Sequence, residues 1–220
     1  MKLFFMRSLA VFFFMFVANI AVAERDLSRQ DDSNVVTEIR QSADSVFSFN
    51  YVQFDFISGS INVTDLSEDV EGSGIRLAVS LGFAPNYTMT LAVSSVTLPK
   101  FQNIRVDDSK VTSLGVTAHT DILSQTAVFA NLALVKAEVN LNPSTTDTGY
   151  GGALTAGVRQ RLSKRLELEL DAEYMSVLDE ELTSITLQSR YYFRNKLSIG
   201  FGYTGNKSID SLFINLRVNV

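Results

Sequence analysis

The chain has no cysteine and a single histidine in 220 residues. Without cysteine there is no disulfide framework, no thiolate metal site, and no residue to carry a lipoprotein's lipid. One histidine confines any imidazole chemistry to His119. Past the first two dozen residues no apolar run approaches the ~20 residues that a membrane-spanning helix needs. Basic clusters are also missing. With 19 Lys and Arg against 24 Asp and Glu the formal charge is −5, which argues against a nucleic-acid partner, because phosphate contacts depend on clustered cations.

What is present begins with an export pattern. Lys2 and Arg7 precede an apolar stretch from Ser8 to Ile20, and Ala21-Val22-Ala23 forms a small-residue cleavage site before Glu24. Residues 1–23 are therefore expected to be a cleaved signal peptide rather than an anchor. Their removal takes Lys2 and Arg7 away, leaving 197 residues with a formal charge of −7, a length suited to one domain. Residues 24–45 are polar and aperiodic and read as a periplasmic tail.

From Val46 onward the hydropathy alternates with period two, the mark of strands with unlike faces. Ten segments follow, at 46–57, 74–84, 87–98, 110–120, 126–137, 150–162, 166–177, 183–193, 197–204 and 209–220. Ile75, Leu77, Val79, Leu81 and Phe83 oppose Gly74, Arg76, Ala78, Ser80 and Gly82, and Leu166, Leu168, Leu170 and Ala172 oppose Glu167, Glu169, Asp171 and Glu173. Short connections (84–86, 121–125, 163–165, 194–196) alternate with longer ones, led by 58–73, 99–109 and 138–149. An even strand count with short turns at one end and loops at the other is the plan of a membrane barrel. Because a chain without an apolar helix can cross lipid only as a closed barrel, the expected fold is all-β: a closed antiparallel transmembrane barrel over residues 46–220, both termini periplasmic.

A soluble β-sandwich also has one apolar and one polar face, so the polar face has to decide. Its charges balance: Asp55, Glu167, Glu169, Asp171 and Glu173 against Arg76, Arg159, Arg161, Arg190 and Arg217. If Ser163-Lys164-Arg165 is a three-residue hairpin loop, Arg161 faces Glu167 and Arg159 faces Glu169, near enough for ion pairs. The next hairpin is expected to set Asp171 opposite Arg190. On the apolar face Phe83, Tyr87, Tyr191 and Phe193 lie by the short turns, and Phe56, Tyr174 and Tyr203 toward the loops, as the two aromatic girdles of a membrane barrel would.

The export signal, Tyr51-Val52-Gln53-Phe54 running into an acidic loop, Thr148-Gly149-Tyr150-Gly151, Leu166-Glu167-Leu168 and Arg190-Tyr191-Tyr192-Phe193 together resemble the small outer-membrane protein β-barrel domain family, loosely related to the OmpA-type porin-like barrels. The resemblance spans residues 46–220. It implies a Gram-negative outer-membrane location, insertion by the barrel-assembly machinery, a lipid surround, and eight strands as the alternative to ten. Members usually end in Phe, where this chain ends in Val220.

No constellation reads as an enzyme. His119 falls beside a periplasmic turn, with no nucleophile and orienting group placed for it. The row Glu167 to Glu173 would be held ionised by facing arginines, which suits structure better than proton transfer. Asp65 to Glu71 lacks the spacing and turn glycine of a calcium loop, the Asn-x-Ser/Thr triplets at 62, 86 and 206 mean little in a bacterium, and Gly200-x-Gly202 sits within a strand. No cofactor is expected, and a monomer is. Two roles stand: a structural or interaction barrel filled by ion pairs, or a narrow channel for ions or small polar solutes, with a periplasmic sandwich as the outlying alternative.

Overall fold

In the computed structural model the described residues are 47–61, 70–97, 108–142, 145–178, 180–194, 196–206 and 209–220. The signal peptide, the polar tail and most of the Asp65–Glu71 loop lie outside them. Ten strands form in chain order: β1 (Tyr51–Ile61), β2 (Val70–Ala84), β3 (Tyr87–Thr97), β4 (Asp108–Leu123), β5 (Thr126–Asn142), β6 (Thr145–Arg161), β7 (Leu166–Val177), β8 (Glu180–Tyr192), β9 (Leu197–Gly205) and β10 (Ile209–Asn219). Each pairs antiparallel with its chain neighbours, and β1 pairs with β10, from Tyr51 opposite Asn219 to Ile61 opposite Ile209, which shuts the sheet into a closed barrel. Ten strands, not eight, is the answer, and no sheet edge is left along the closed seam.

The barrel is inside-out relative to a soluble domain. Leu134 is 73% exposed and Phe56 61%, while Arg190 and Glu167 are each 1% exposed. Alternation along closed strands explains it, since every second residue points outward wherever it lies in the ring. Ile75 to Phe83 on β2 marks the apolar height. Eight steps of about 3.3 Å, tilted by ~40°, span roughly 20 Å along the barrel axis, close to the ~25 Å lipid-facing band of outer-membrane barrels. Exposed aromatics border this band in clusters. By the short turns Phe83 lies 6.3 Å from Tyr87, and Tyr191 packs edge-on 5.4 Å from Phe193. Toward the other end Phe56 and Tyr203 are exposed. A sandwich, which would enclose these side chains, is excluded.

Several boundaries differ from the sequence reading, each for a physical reason. The 138–149 loop is instead the top of a tall hairpin: β5 runs to Asn142 and β6 starts at Thr145. There the outward residues become polar (Lys136 ion-pairs with Glu138 at 2.5 Å, and Thr146 donates to Asn140 at 2.7 Å) because the wall has left the apolar band, not because the strand has ended. The same holds for β1 and β2, which reach Ile61 and Val70. At the other end a bulge between Asp121 and Leu123 carries β4 closer to its turn. A further difference is at the start. β1 begins at Tyr51, not 46, since ladder pairing with β10 and β2 begins there.

Candidate functional site

Residues 47–50, just ahead of β1, turn into the lumen at the end that holds the start of β1, the end of β10 and the short turns. Phe47 and Phe49 are 4% and 5% exposed. Phe49 stacks on His119 at 3.8 Å with the rings 6° from parallel, and the Arg159 guanidinium lies 4.2 Å from its centroid, so the ring is held between an imidazole and a cation. Arg159 also donates to the Ser48 carbonyl at 3.3 Å. Arg161 lies 5.5 Å over Phe47 and 4.4 Å over Tyr192. Asn50 pins the segment to the wall: its side-chain oxygen accepts from the Gly82 amide at 2.5 Å, and its carbonyl accepts from the Val220 amide at 3.1 Å. Desolvated cation–π contacts of this kind are worth ~2 kcal/mol each. Residues 47–50 thus form a stopper. Parity could have revealed it, because Phe47 and Phe49 share the odd phase of the inward residues Gln53 and Asp55, opposite to the outward Val52 and Phe56.

Directly above the stopper sits a buried charge cluster. The β6–β7 register places Arg161 opposite Glu167 and Arg159 opposite Glu169, with N–O separations of 2.9 Å and 2.7 Å. Arg190 of β8 joins both acids: it pairs closely with Glu167 and lies 3.5 Å from Glu169. Tyr192 donates to Glu167 at 3.1 Å, and Gln188 accepts from Arg190 at 2.9 Å. The expected Asp171–Arg190 pairing is wrong. Arg190 stands opposite Glu167 and Asp171 opposite Thr186, because the β7–β8 turn is tighter than the sequence suggested, with β8 starting at Glu180.

The remaining charges extend the polar lining of the lumen beside this cluster. Arg217 donates to Gln53 at 2.7 Å and sits 3.8 Å over the Tyr51 ring; Gln53 in turn donates to Asp55 at 2.7 Å. Asp55 stands opposite Arg76 on β2. Glu173 accepts from Thr155 at 3.0 Å. Asp55, Arg76, Asp171, Glu173 and Arg217 all border one cavity of about 470 Å³ in the lumen. Small inward residues make that room, among them Ala78, Ser80, Ala92, Ala133 and Ala153, while on the β9 wall Gly200 and Gly202 accommodate the side chains of Asn215 and Phe213 opposite them. The lumen roles of Tyr51, Gln53, Gln188, Tyr192 and Asn215 were not legible from sequence, since one neutral polar residue on a strand carries no pattern. His119 serves as packing for Phe49. Among the described residues no three His, Asp or Glu side chains converge as for a metal ion.

No family model matches the chain, and no curated protein matches it in sequence. Solved structures do match. The β domain of the Bordetella autotransporter BrkA is 11% identical, with a TM-score of 0.51, covering 79% of this chain and all of that one. Neisserial surface protein A is 18% identical (TM-score 0.40, 79% of this chain and 98% of that one). The translocator domain of the autotransporter NalP from Neisseria meningitidis is 11% identical (TM-score 0.45, 92% and 98%). The likeness to the BrkA domain shows the fold: a small β-barrel of the outer-membrane type.

Proposed function

We propose that this chain is a Gram-negative outer-membrane barrel with a structural or interaction role in the envelope, closed at its periplasmic end and without enzymatic activity. The stopper carries this reading: Phe47 and Phe49, clamped by Arg159, Arg161 and His119, fill the lumen where a channel would have to pass. The five-membered Arg–Glu cluster above it supports the same conclusion, since separating such buried pairs to admit a solute costs several kcal/mol. The apolar outer band supports a lipid surround; on this reading the barrel is a monomer delivered by the barrel-assembly machinery after signal-peptide export. The tall β5–β6 hairpin would then stand beyond the membrane on the outer side, available to partners.

Membrane fractionation with heat-modifiable gel migration tests the location. Conductance in planar bilayers tests the closed lumen: the wild-type barrel is expected to hold no stable open level, and Phe47→Ala with Phe49→Ala to create one. A steady open level in the wild type would overturn the reading and select the narrow channel.

A further inference from the structure

The lumen charges cancel in total but not along the axis. In the buried cluster and just beside it, Arg159, Arg161, Arg190 and Arg217 outnumber Glu167 and Glu169. The cavity is bordered by Arg159, Glu169 and Arg217 from that group and, beyond them, by Asp55, Asp171 and Glu173 with Arg76 as the one further arginine. Asp171 and Glu173 face threonines, not arginines, in the β7–β8 and β6–β7 registers. The cavity therefore has arginines of the cluster region at one end and two carboxylates without a facing arginine on its wall.

Hydrogen-bonding capacity is left open at that boundary, on side chains that line the cavity and are more than nine-tenths buried. Arg217 Nη1 and Gln188 Nε2 are donors with no acceptor, and Asp55 Oδ2 is an acceptor with no donor. Buried polar groups in native proteins are nearly always paired, and each one left open costs about 1–3 kcal/mol. Two donors at the arginine end and carboxylates on the wall ask for a solute with an anionic and a cationic end. The spacing agrees. Gln188 lies two residues along β8 from Thr186, the partner of Asp171, a separation of about 7 Å. An ammonium and a carboxylate on one carbon, with a hydrogen bond at each end, span such a distance. The cavity's ~470 Å³ is within the range of small-molecule sites.

We propose that the lumen cavity binds a small zwitterion of the α-amino-acid class, its carboxylate on Arg217 and Gln188 and its ammonium on Asp171 and Glu173. Arg76 and Asp55 stand opposite each other on neighbouring strands. The site needs no open pore, so it stands independently of whether the barrel conducts.

The test is a titration of the refolded full-length mature barrel with L-alanine, L-alaninamide and N-acetyl-L-alanine, read by NMR shifts of the Gln188 side-chain amide and the Arg217 guanidinium. Alanine should give saturable shifts at both, and each single-charge analogue should bind about tenfold or more weakly, as sites built around paired polar groups reject ligands that lack one. Asp171→Asn with Glu173→Gln should weaken alanine by a similar factor while heat-modifiable migration persists. Asp171→Asn alone carries the same expectation if the pair impairs insertion. Alaninamide or N-acetylalanine binding as well as alanine, no saturable shift with any of the three, or unchanged affinity in the variants would overturn the proposal.

Discussion

Glu167 is the residue on which the buried cluster most depends, and Glu167→Gln is the sharpest way to show it. Its carboxylate is 1% exposed and serves three donors: Arg190 on Oε1, and Arg161 and Tyr192 on Oε2. A glutamine keeps one oxygen and turns an NH2 toward one of the two arginines, so a donor meets a donor. It also leaves Arg159, Arg161 and Arg190 sharing Glu169 alone. Breaking one partner of a buried ion pair costs about 3–5 kcal/mol, a large part of the 5–15 kcal/mol that typically holds a domain together. Glu173→Gln is the internal control. That carboxylate is only half-buried and accepts one hydroxyl, so its loss should cost about 1 kcal/mol. Urea titration of the barrel in lipid vesicles, with the folded fraction read by heat-modifiable migration, measures both. Adding Arg161→Gln to Glu167→Gln should recover about 0.5–3 kcal/mol, the usual coupling of directly paired residues. A Glu167→Gln barrel as stable as wild type, or equal losses for Glu167→Gln and Glu173→Gln, would refute the reasoning.

The other expectations use the same assay. Leu170 is 47% exposed on the outer face, so Leu170→Arg should cost ~2–4 kcal/mol in lipid. Leu168→Phe with Leu170→Phe should be tolerated, because lipid has no fixed shape, whereas a protein core would lose ~1–3 kcal/mol at each site; strong destabilisation of the double Phe variant would count against the lipid face. Exchanging Arg159→Glu and Glu169→Arg together should retain more stability than either change alone, and a purely additive loss would argue that the pair is not coupled. A Cβ on Gly157 would meet Phe129 Cζ at 2.5 Å and Asp171 Cβ at 2.7 Å, so Gly157→Ala should destabilise by ~1–3 kcal/mol and an unaffected variant would show that the wall yields there.

Period-two alternation, an even strand count and the three-residue 163–165 turn were legible in the sequence, and with them the barrel, its outer face and the Arg161/Glu167 and Arg159/Glu169 opposition. These follow from local pattern and short-range geometry. What depended on distant register was not legible. Which β8 residue meets Asp171 depends on where the β7–β8 turn closes, and Leu178, held at a positive φ of 55°, gives no sign of that in its side chain. The strand extensions at 138–142 and 145–149 were hidden because polar outward residues read as loop once the wall leaves lipid. The stopper was hidden by its own resemblance to strand: Phe47 and Phe49 continue the alternation of β1, and only their parity distinguishes lumen from lipid.

Asn50 touches both ends of the chain's path, the Gly82 amide on β2 and the Val220 amide just past β10. Its second anchor is not in place until the first and last strands have met, and contacts of such long sequence separation are slow to form. The aromatic clamp also needs Arg159 and Arg161 of β6, more than a hundred residues downstream. A segment that is synthesised before any strand is therefore seated after all of them. Burial of Phe49 becomes a clock for the seam: its ring current on His119 should appear only with the final closure step, later than the secondary structure of the ten strands.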